Sequence, residues 1–140
     1  MDLKSPFEVG MITKRTFVVE EEDSAGHVGS GSLRVLATPS MIAFMERTAR
    51  IFMDEHLQED QTSVGVHVDV SHLAATPVGM KVYVTCEVLE VNGRRVDFRV
   101  EIHDEVEKVS EGRHQRYVID KERFLKRLEA KLSRTEADVR

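Results

Sequence analysis

The fold is decided by the stretch T-P-S-M-I-A-F-M-E-R-T-A-R-I-F-M, residues 38 to 53. Thr38 followed by Pro39 predicts a helix start, because a threonine hydroxyl can accept an unpaired backbone N–H and proline at the first helical position loses no hydrogen bond. An apolar stripe at helical spacing follows, formed by Met41, Phe44, Met45, Thr48, Ala49 and Phe52. Because other apolar residues flank this stripe, the sequence predicts a helix buried in the core.

Glu46 is a misfit in this helix. On a helical wheel it lies with Ile42, Ala49 and Met53, where an unpaired charge is costly to bury. Two interpretations stay open at this point. Either Arg50, four residues later, neutralises the carboxylate as an exposed ion pair, or the carboxylate has a chemical role.

Length and composition bound the class of protein. A chain of 140 residues fits one domain, 1–140, and 41% hydrophobic with 32% charged residues is ordinary for a soluble globular protein. No apolar run is long enough to cross a bilayer, and the N-terminal residues M-D-L-K-S-P-F-E-V-G form no signal-peptide core. With one cysteine and a net charge of -5, we expect a cytoplasmic protein whose partners include neither membrane nor nucleic acid.

Two segments precede the helix. Met11 to Glu20 is rich in Thr, Val and Phe, which predicts a first strand. Glu20 to Ser32 loses all periodicity and contains three glycines, which predicts a flexible loop. This loop is either a plain connector or a cover for a pocket, and its composition names no ligand.

From Ser63 the hydrophobic period changes to two, which predicts a strand. One face, expected to be buried, carries Val64, Val66, Val68 and Val70. Continuing the alternation puts His72 on this face and His67 on the polar face. A histidine on an apolar face is either a core residue with a backbone partner or a functional group. The alternation also separates His67 and Asp69 from His72, so we expect no metal site.

Three further strands and a helix are predicted after residue 79. Alternation over Met80 to Val88 predicts a strand with Cys86 in the core, and Asn92-Gly93 predicts a type I′ hairpin turn. Alternation over Val96 to Ile102 predicts the next strand, and Asp104-Glu105 the turn after it.

The last strand, Val109 to Ile119, has a polar middle that an apolar core does not explain: Glu111, Arg113, His114, Gln115 and Arg116. Lys121 to Leu132 is amphipathic and predicts a short C-terminal helix, after which we expect fraying.

Successive hairpins imply an antiparallel sheet, and its apolar face needs a cover. The one long apolar helix is that of residues 38–53. We therefore expect an α+β hot-dog fold, in which an antiparallel sheet wraps around one central helix and a short C-terminal helix follows. Exposed sheet edges are commonly resolved by pairing two subunits, so a homodimer is expected.

Packing the helix on this sheet would bring Glu46 towards His72. A carboxylate and an imidazole in a partly dry pocket suit general acid and base work or nucleophilic attack. Other chemistries lack their motifs, since the sequence has no G-x-S-x-G elbow, no Walker-type glycine loop and no dinucleotide fingerprint. We expect no cofactor.

The chain resembles the fluoroacetyl-CoA thioesterase-like family of hot-dog proteins. The matching pieces are A-T-P-S-M-I-A-F-M-E at 37–46, the segment from Gly65 through V-S-H-L-A-A-T-P-V-G at 70–79, V-N-G-R-R at 91–95 and G-R-H-Q-R-Y-V-I at 112–119. The resemblance implies hydrolysis of an acyl-CoA thioester by a dimer, with the active site between the central helix and the sheet, near the subunit interface.

The resemblance also implies roles for five residues. Thr38, Glu46 and His72 match the family's catalytic group. Gly65 would offer a backbone N–H to the thioester carbonyl, and Arg116 would support the site. Whether Glu46 activates water or attacks the carbonyl itself stays open.

The sequence says less about the substrate than about the reaction. The loop of residues 20–32 has no aromatic residue, so nothing in it supports a lid that selects a fluorinated acyl group, and we expect a small or short-chain acyl-CoA. Arg94, Arg95 and Arg99 are available for the CoA phosphates, although a charged sheet face is more often merely solvated. Two other functions stay open: binding of acyl-CoA without hydrolysis, and hydration or dehydration of enoyl or 3-hydroxyacyl thioesters.

Overall fold

The computed structural model describes residues 5–138. In these residues the helices and strands follow one another as β1 (Ile12–Val18), α1 (Ala25–Val28), α2 (Thr38–Asp54), β2 (Gln61–His72), β3 (Lys81–Asn92), β4 (Arg95–Asp104), β5 (Lys108–Asp120) and α3 (Lys121–Asp138), with a 3₁₀ turn at Glu21–Asp23 before α1. Residues 1–4, which begin the N-terminal stretch that forms no signal-peptide core, lie outside the described residues, as do residues 139–140 at the expected frayed end.

The predicted order of the five strands and the two long helices is confirmed, with differences at their ends. Helix α2 begins at Thr38 as predicted and ends one residue beyond Met53. Helix α3 continues to Asp138, six residues beyond the predicted end at Leu132.

The segment of residues 20–32 is not a plain loop. It contains the 3₁₀ turn and α1, and the Ser24 side chain caps α1 by accepting the His27 backbone N–H at 3.3 Å. The Ala25 N–H also donates to the Val35 carbonyl at 2.7 Å, which fastens α1 to the segment leading into α2.

All five strands form one antiparallel sheet in the order β1-β3-β4-β5-β2. Helix α2 lies against the inner face, where Met41, Met45 and Met53 are fully buried with the inward side chains of β3 and β4. The rings of Phe17 and Phe44 stack at 4.5 Å and fix α2 against the edge strand β1. The predicted α+β architecture, a sheet around one central helix followed by a C-terminal helix, is confirmed.

The β3–β4 hairpin lies where Asn92-Gly93 predicted it, but the turn type differs. Asn92 and Arg95 form the last pair of the ladder, so the two central residues are Gly93 and Arg94. Gly93 has φ +62, and no non-glycine residue in the described part of the chain has a positive φ. A positive φ at the first central residue only is the pattern of a type II′ turn, so the type I′ assignment is wrong.

A β-bulge interrupts the alternation in β2. Gly65 pairs with Arg116 and His67 pairs with Gln115, which leaves Val66 as an extra residue. A bulge of this kind reverses the face on which later side chains lie. The chain therefore changes parity in the middle of the valine run.

Because of the bulge, the prediction that the four valines of β2 share one buried face is wrong. Val68 pairs with the fully buried His114 and shares its inner face, and His72 follows on that face as predicted. Val64 precedes the bulge and lies on the outer face. Val66 and Val68 are 54% and 36% exposed, because β2 is an edge strand with no neighbour on its outer side.

Cys86 lies in the core, as predicted. Its side chain is 1% exposed, and burial raises the pKa of the thiol to about 12. Among residues 5–138, no helix is both long and apolar enough to cross a lipid bilayer.

Candidate active site

Thr38 contacts His72 at the start of α2. Thr38 Oγ1 lies 2.8 Å from His72 Nδ1. The N-cap residue of α2 is Ala37, and no side chain caps this end of the helix. The interpretation of Thr38 as the N-cap is therefore wrong, and the threonine hydroxyl is available to the imidazole.

His72 is half-buried on the inner face, at the last position of β2. Burial lowers the pKa of its imidazole, and the backbone of Ala74 acts in the opposite direction. The net lowering keeps the ring neutral at pH 7. A neutral imidazole in contact with a hydroxyl can accept or relay a proton.

Glu46 lies further along the same helix. It follows Thr38 by eight positions, which is about 12 Å along a helix axis. Arg50, its alternative partner, instead pairs with Asp54 at 3.0 Å, and within residues 5–138 no ion pair joins Glu46 to Arg50. The interpretation of Glu46 as half of a surface pair with Arg50 is therefore wrong.

The Glu46 carboxylate faces the middle of the sheet. Its Oε2 lies 3.7 Å from Arg116 Nη1, and its side chain is 42% exposed. In the part of the chain that the structure describes, no hydrogen bond or ion pair joins Glu46 to His72. The structure thus brings Thr38 and His72 together, and Glu46 and Arg116 together, as two separate groups.

The sheet approaches this carboxylate closely at Gly65. A Cβ at Gly65 would lie 2.6 Å from Glu46 Oε2 and 3.2 to 3.3 Å from His114 and Arg116. Any side chain here would occupy the place of the carboxylate. Gly65 therefore leaves its backbone open to the same space that Glu46 reaches.

Arg116 is held by a buried network. Its Nε donates to Ser63 Oγ at 2.8 Å, its Nη2 donates to the Ser63 carbonyl at 3.0 Å, and its Nη1 lies 3.1 Å from His114 Nε2. Burial lowers the pKa of Arg116, and the nearby Glu46 opposes this effect. Three of its nitrogens are thus fixed, so the guanidinium is directed towards Glu46.

His114 and Ser63 are site residues that the sequence did not assign. His114 is fully buried, and its Nδ1 lies 2.9 Å from the His67 carbonyl. Because an arginine nitrogen only donates, His114 Nε2 is the acceptor and Nδ1 carries the proton. The signal that could have found His114 is the polar middle of β5, which lines the site rather than the apolar core.

A cavity of about 370 Å³ opens beside Thr38 and His72. Its other lining residues are mainly small or apolar and come from residues 25–37 and 73–75: Ala25, Ser30, Val35, Leu36, Ala37, Leu73, Ala74 and Ala75. The segment of residues 20–32 therefore borders a pocket.

The three arginines considered for coenzyme A each have an acidic neighbour. Arg94 pairs with Asp120 at 3.2 Å, and Arg99 lies 3.5 Å from Glu87. Arg95 pairs with Asp97 at 3.2 Å. These pairs fit a solvated sheet face, and we assign none of the three to the site.

The sequence of this chain is similar to those of known thioesterases. A family model described as fluoroacetyl-CoA-specific thioesterase matches residues 19–122. The fluoroacetyl-CoA thioesterase of Streptantibioticus cattleyicolor is 35% identical over 128 residues, covering 87% of this chain and 92% of that protein.

Solved structures agree with the sequence comparison. A threonine-to-serine variant of the fluoroacetyl-CoA thioesterase FlK, in complex with acetyl-CoA, superimposes with a TM-score of 0.84 at 34% identity, covering 89% of this chain and 98% of the other. A thioesterase superfamily member from Thermus thermophilus gives a TM-score of 0.87 at 27% identity, covering 96% and 99%. A hot-dog-like protein from Thermanaerovibrio acidaminovorans gives 0.85 at 27% identity, covering 94% and 97%. The expected hot-dog fold is confirmed.

Proposed function

The chain belongs to the fluoroacetyl-CoA-specific thioesterase family and is a thioester hydrolase, and we propose that it cleaves a small or short-chain acyl-CoA to the free acid and coenzyme A. The observation that carries the proposal is the contact of Thr38 with a neutral His72 at the mouth of a cavity. Acyl-CoA as the substrate is supported by the acetyl-CoA that the related thioesterase binds.

Each polar group has a role in this proposal. Thr38 and the Gly65 backbone N–H donate to the oxygen that becomes negative when the thioester carbonyl is attacked. Glu46, with His72, activates the attacking water, or Glu46 attacks the carbonyl to give an anhydride that water then cleaves. Arg116 supports the site by facing the Glu46 carboxylate. The free thiol of coenzyme A leaves in both routes.

The proposed active form is a homodimer. Strand β2 is an edge of the sheet, and its exposed Val66 and Val68 offer an apolar strip with free backbone groups. A second copy of β2 can pair with this edge about a two-fold axis. Such pairing covers both the strip and the edge.

This dimer also accounts for the separation of the two groups in one chain. Gly65 lies in the first half of β2 and His72 at its end. Antiparallel pairing of two identical strands places the first half of one beside the second half of the other. We propose that Glu46 and Gly65 of one subunit thereby approach Thr38 and His72 of its partner, so that one thioester meets both groups.

The lining of the cavity supports a small acyl group. Its alanines and Val35 suit an apolar chain, and its volume of about 370 Å³ is at the low end for ligand pockets. The segment of residues 20–32, which lines it through Ala25 and Ser30, is proposed as its cover. A small or short-chain acyl group fits this lining.

Two broader points belong to the same proposal. We propose that residues 1–140 form a single domain, which the one continuous sheet and core support. We also propose a cytoplasmic location, which the single free and buried cysteine supports.

The test is the release of free thiol from a panel of acyl-CoAs that differ in chain length and include fluoroacetyl-CoA. Wild type is compared with Glu46→Gln and His72→Ala, and each substitution should cost about 10² to 10⁴ in rate. Unchanged rates in both variants would refute the assignment. Saturable binding without turnover would instead indicate an acyl-CoA-binding protein, and a change at the enoyl absorbance without thiol release would indicate a hydratase or dehydratase.

A further inference from the structure

Ser110 on β5 carries a buried hydroxyl that the proposed chemistry does not use. Its side chain is fully buried, and its Oγ has no hydrogen-bonding partner among the described residues. His72 Nε2 is buried in the same way and also lacks a partner there. Buried polar atoms are nearly always paired, so each of these two needs an explanation.

The sheet register places the two residues side by side. Ser110 pairs with His72 on β2 and with Ile102 on β4, and all three side chains lie on the inner face. Directly opposed residues of an antiparallel pair have Cβ atoms about 4.5 to 5.5 Å apart. Ile102 offers no polar atom, so the imidazole of His72 is the polar side chain that Ser110 faces across the sheet.

We infer that Ser110 is a positioning residue for His72, and that its hydroxyl, which turns about the Cα–Cβ bond, donates a hydrogen bond to Nε2. The neutral ring then carries its proton on Nδ1 and donates it to Thr38 Oγ1, 2.8 Å away. The Thr38 hydroxyl is thereby left free to donate its own proton to the thioester oxyanion. Ser110 thus sets the direction of the Thr38–His72 hydrogen bond. Both ring nitrogens are then engaged, so this consequence rests on the route of the proposed function in which Glu46 attacks the carbonyl itself.

The first test reads the tautomer of His72 in the substrate-free protein and needs no turnover. Long-range ¹H–¹⁵N spectra of wild type should show a bare Nε2 and a protonated Nδ1. In Ser110→Ala the two tautomers should mix. A wild-type ring protonated on Nε2, or a tautomer that does not change in Ser110→Ala, would overturn the inference.

The second test reads the reaction. Loss of one hydrogen bond to the ring should lower kcat about tenfold in Ser110→Ala with KM unchanged. Ser110→Thr and Ser110→Val have nearly the same shape and differ in the hydroxyl, so the threonine variant should exceed the valine variant by a similar factor. Equal rates in that pair would refute the role of the hydroxyl.

The two tests separate this inference from the proposed function. If wild type releases no thiol from any acyl-CoA, the proposed function fails, and the His72 tautomer still decides whether Ser110 positions the ring. Thermal unfolding of each variant checks that the fold is retained.

Discussion

Thr38 Oγ1 lies 2.8 Å from His72 Nδ1, which joins the first turn of the central helix to the last residue of an edge strand. The two residues are 34 positions apart in the sequence, so the contact forms only when α2 packs on the sheet. Because Thr38 does not cap the helix, its hydroxyl contributes to the site more than to the stability of α2.

Removal of the Thr38 hydroxyl should therefore separate activity from stability. We expect Thr38→Val to lower kcat about 10²-fold, the cost of losing one oxyanion donor, and to change the free energy of unfolding by about 1 kcal/mol or less. Thr38→Ser keeps the hydroxyl and should keep most of the activity. Thiol release and urea unfolding measure the two quantities, and a fully active Thr38→Val would contradict the role of the hydroxyl.

Gly65 is the position where the sheet makes room for the Glu46 carboxylate. A Cβ there meets the end of a flexible side chain, Glu46 Oε2 at 2.6 Å, so the carboxylate moves and the backbone stays in place. We expect Gly65→Ala to fold with a stability within about 1 kcal/mol of wild type and to lose about 10²-fold in kcat. An active Gly65→Ala would show that the carboxylate position is not critical.

Gly112 provides the matched control, because it lies on the same face and its neighbours cannot move. A Cβ at Gly112 would overlap the Asp69 carbonyl oxygen and lie 2.6 Å from Val70 Cα. Gly112→Ala should therefore destabilise the protein by at least about 2 kcal/mol, as overpacking against backbone does. Equal stabilities of the two alanine variants would contradict the distinction.

His72 and His114 should make stability depend on pH between 5 and 7. Burial lowers the pKa of both imidazoles, and for His114 the charge of Arg116 adds to this effect. As the pH falls, these histidines bind protons near pH 6.5 in the unfolded chain but not in the folded chain. Proton binding stabilises the unfolded state, so the free energy of unfolding decreases.

We expect the contribution of these histidines to the free energy of unfolding to be complete above about pH 7 and to be lost as the pH falls through about 6.5 towards 5. The slope is at most about 1.4 kcal/mol per pH unit for each histidine. Urea unfolding at a series of pH values measures the slope. His114→Asn should flatten it, whatever its effect on stability at pH 7. A slope of the opposite sign would show that burial does not dominate at these histidines.

Most of the fold can be predicted from local patterns in the sequence. The start of α2 at Thr38 followed from Pro39 and the apolar stripe, and the β3–β4 hairpin followed from Gly93, because both signals lie within a few residues of the feature. The bulge at Val66 did not follow from the sequence, since it depends on how β2 pairs with β5, far along the chain.

The same limit applies to the site. The sequence shows that the middle of β5 is polar, but alternation alone does not say which of its two faces is the inner one. The structure shows which face is the inner one, and His114 and Arg116 lie on it, on the side of Glu46. Ser110 carried no signal in the sequence, because a serine in a strand becomes distinctive only when its cross-strand partner is a histidine.

The last prediction concerns how two subunits share a site. If Glu46 of one subunit acts with His72 of the other, a heterodimer of Glu46→Gln and His72→Ala subunits contains one site with both substitutions and one with neither. Heterodimers purified through two different tags should then show about half the wild-type rate, although each variant alone is inactive. If each site lies within one chain, every site of this heterodimer carries a substitution and thiol release stays at the level of the separate variants.

A second heterodimer serves as the matched control, and the shared site predicts the opposite result for it. A subunit with both Glu46→Gln and His72→Ala, paired with a wild-type subunit, has one substitution in each shared site and should be inactive. It would retain about half the rate if each site lay within one chain. Light scattering establishes that the tagged species are dimers. An active control together with an inactive mixed heterodimer would refute the shared site, because Glu46 and His72 would then have to act within one subunit.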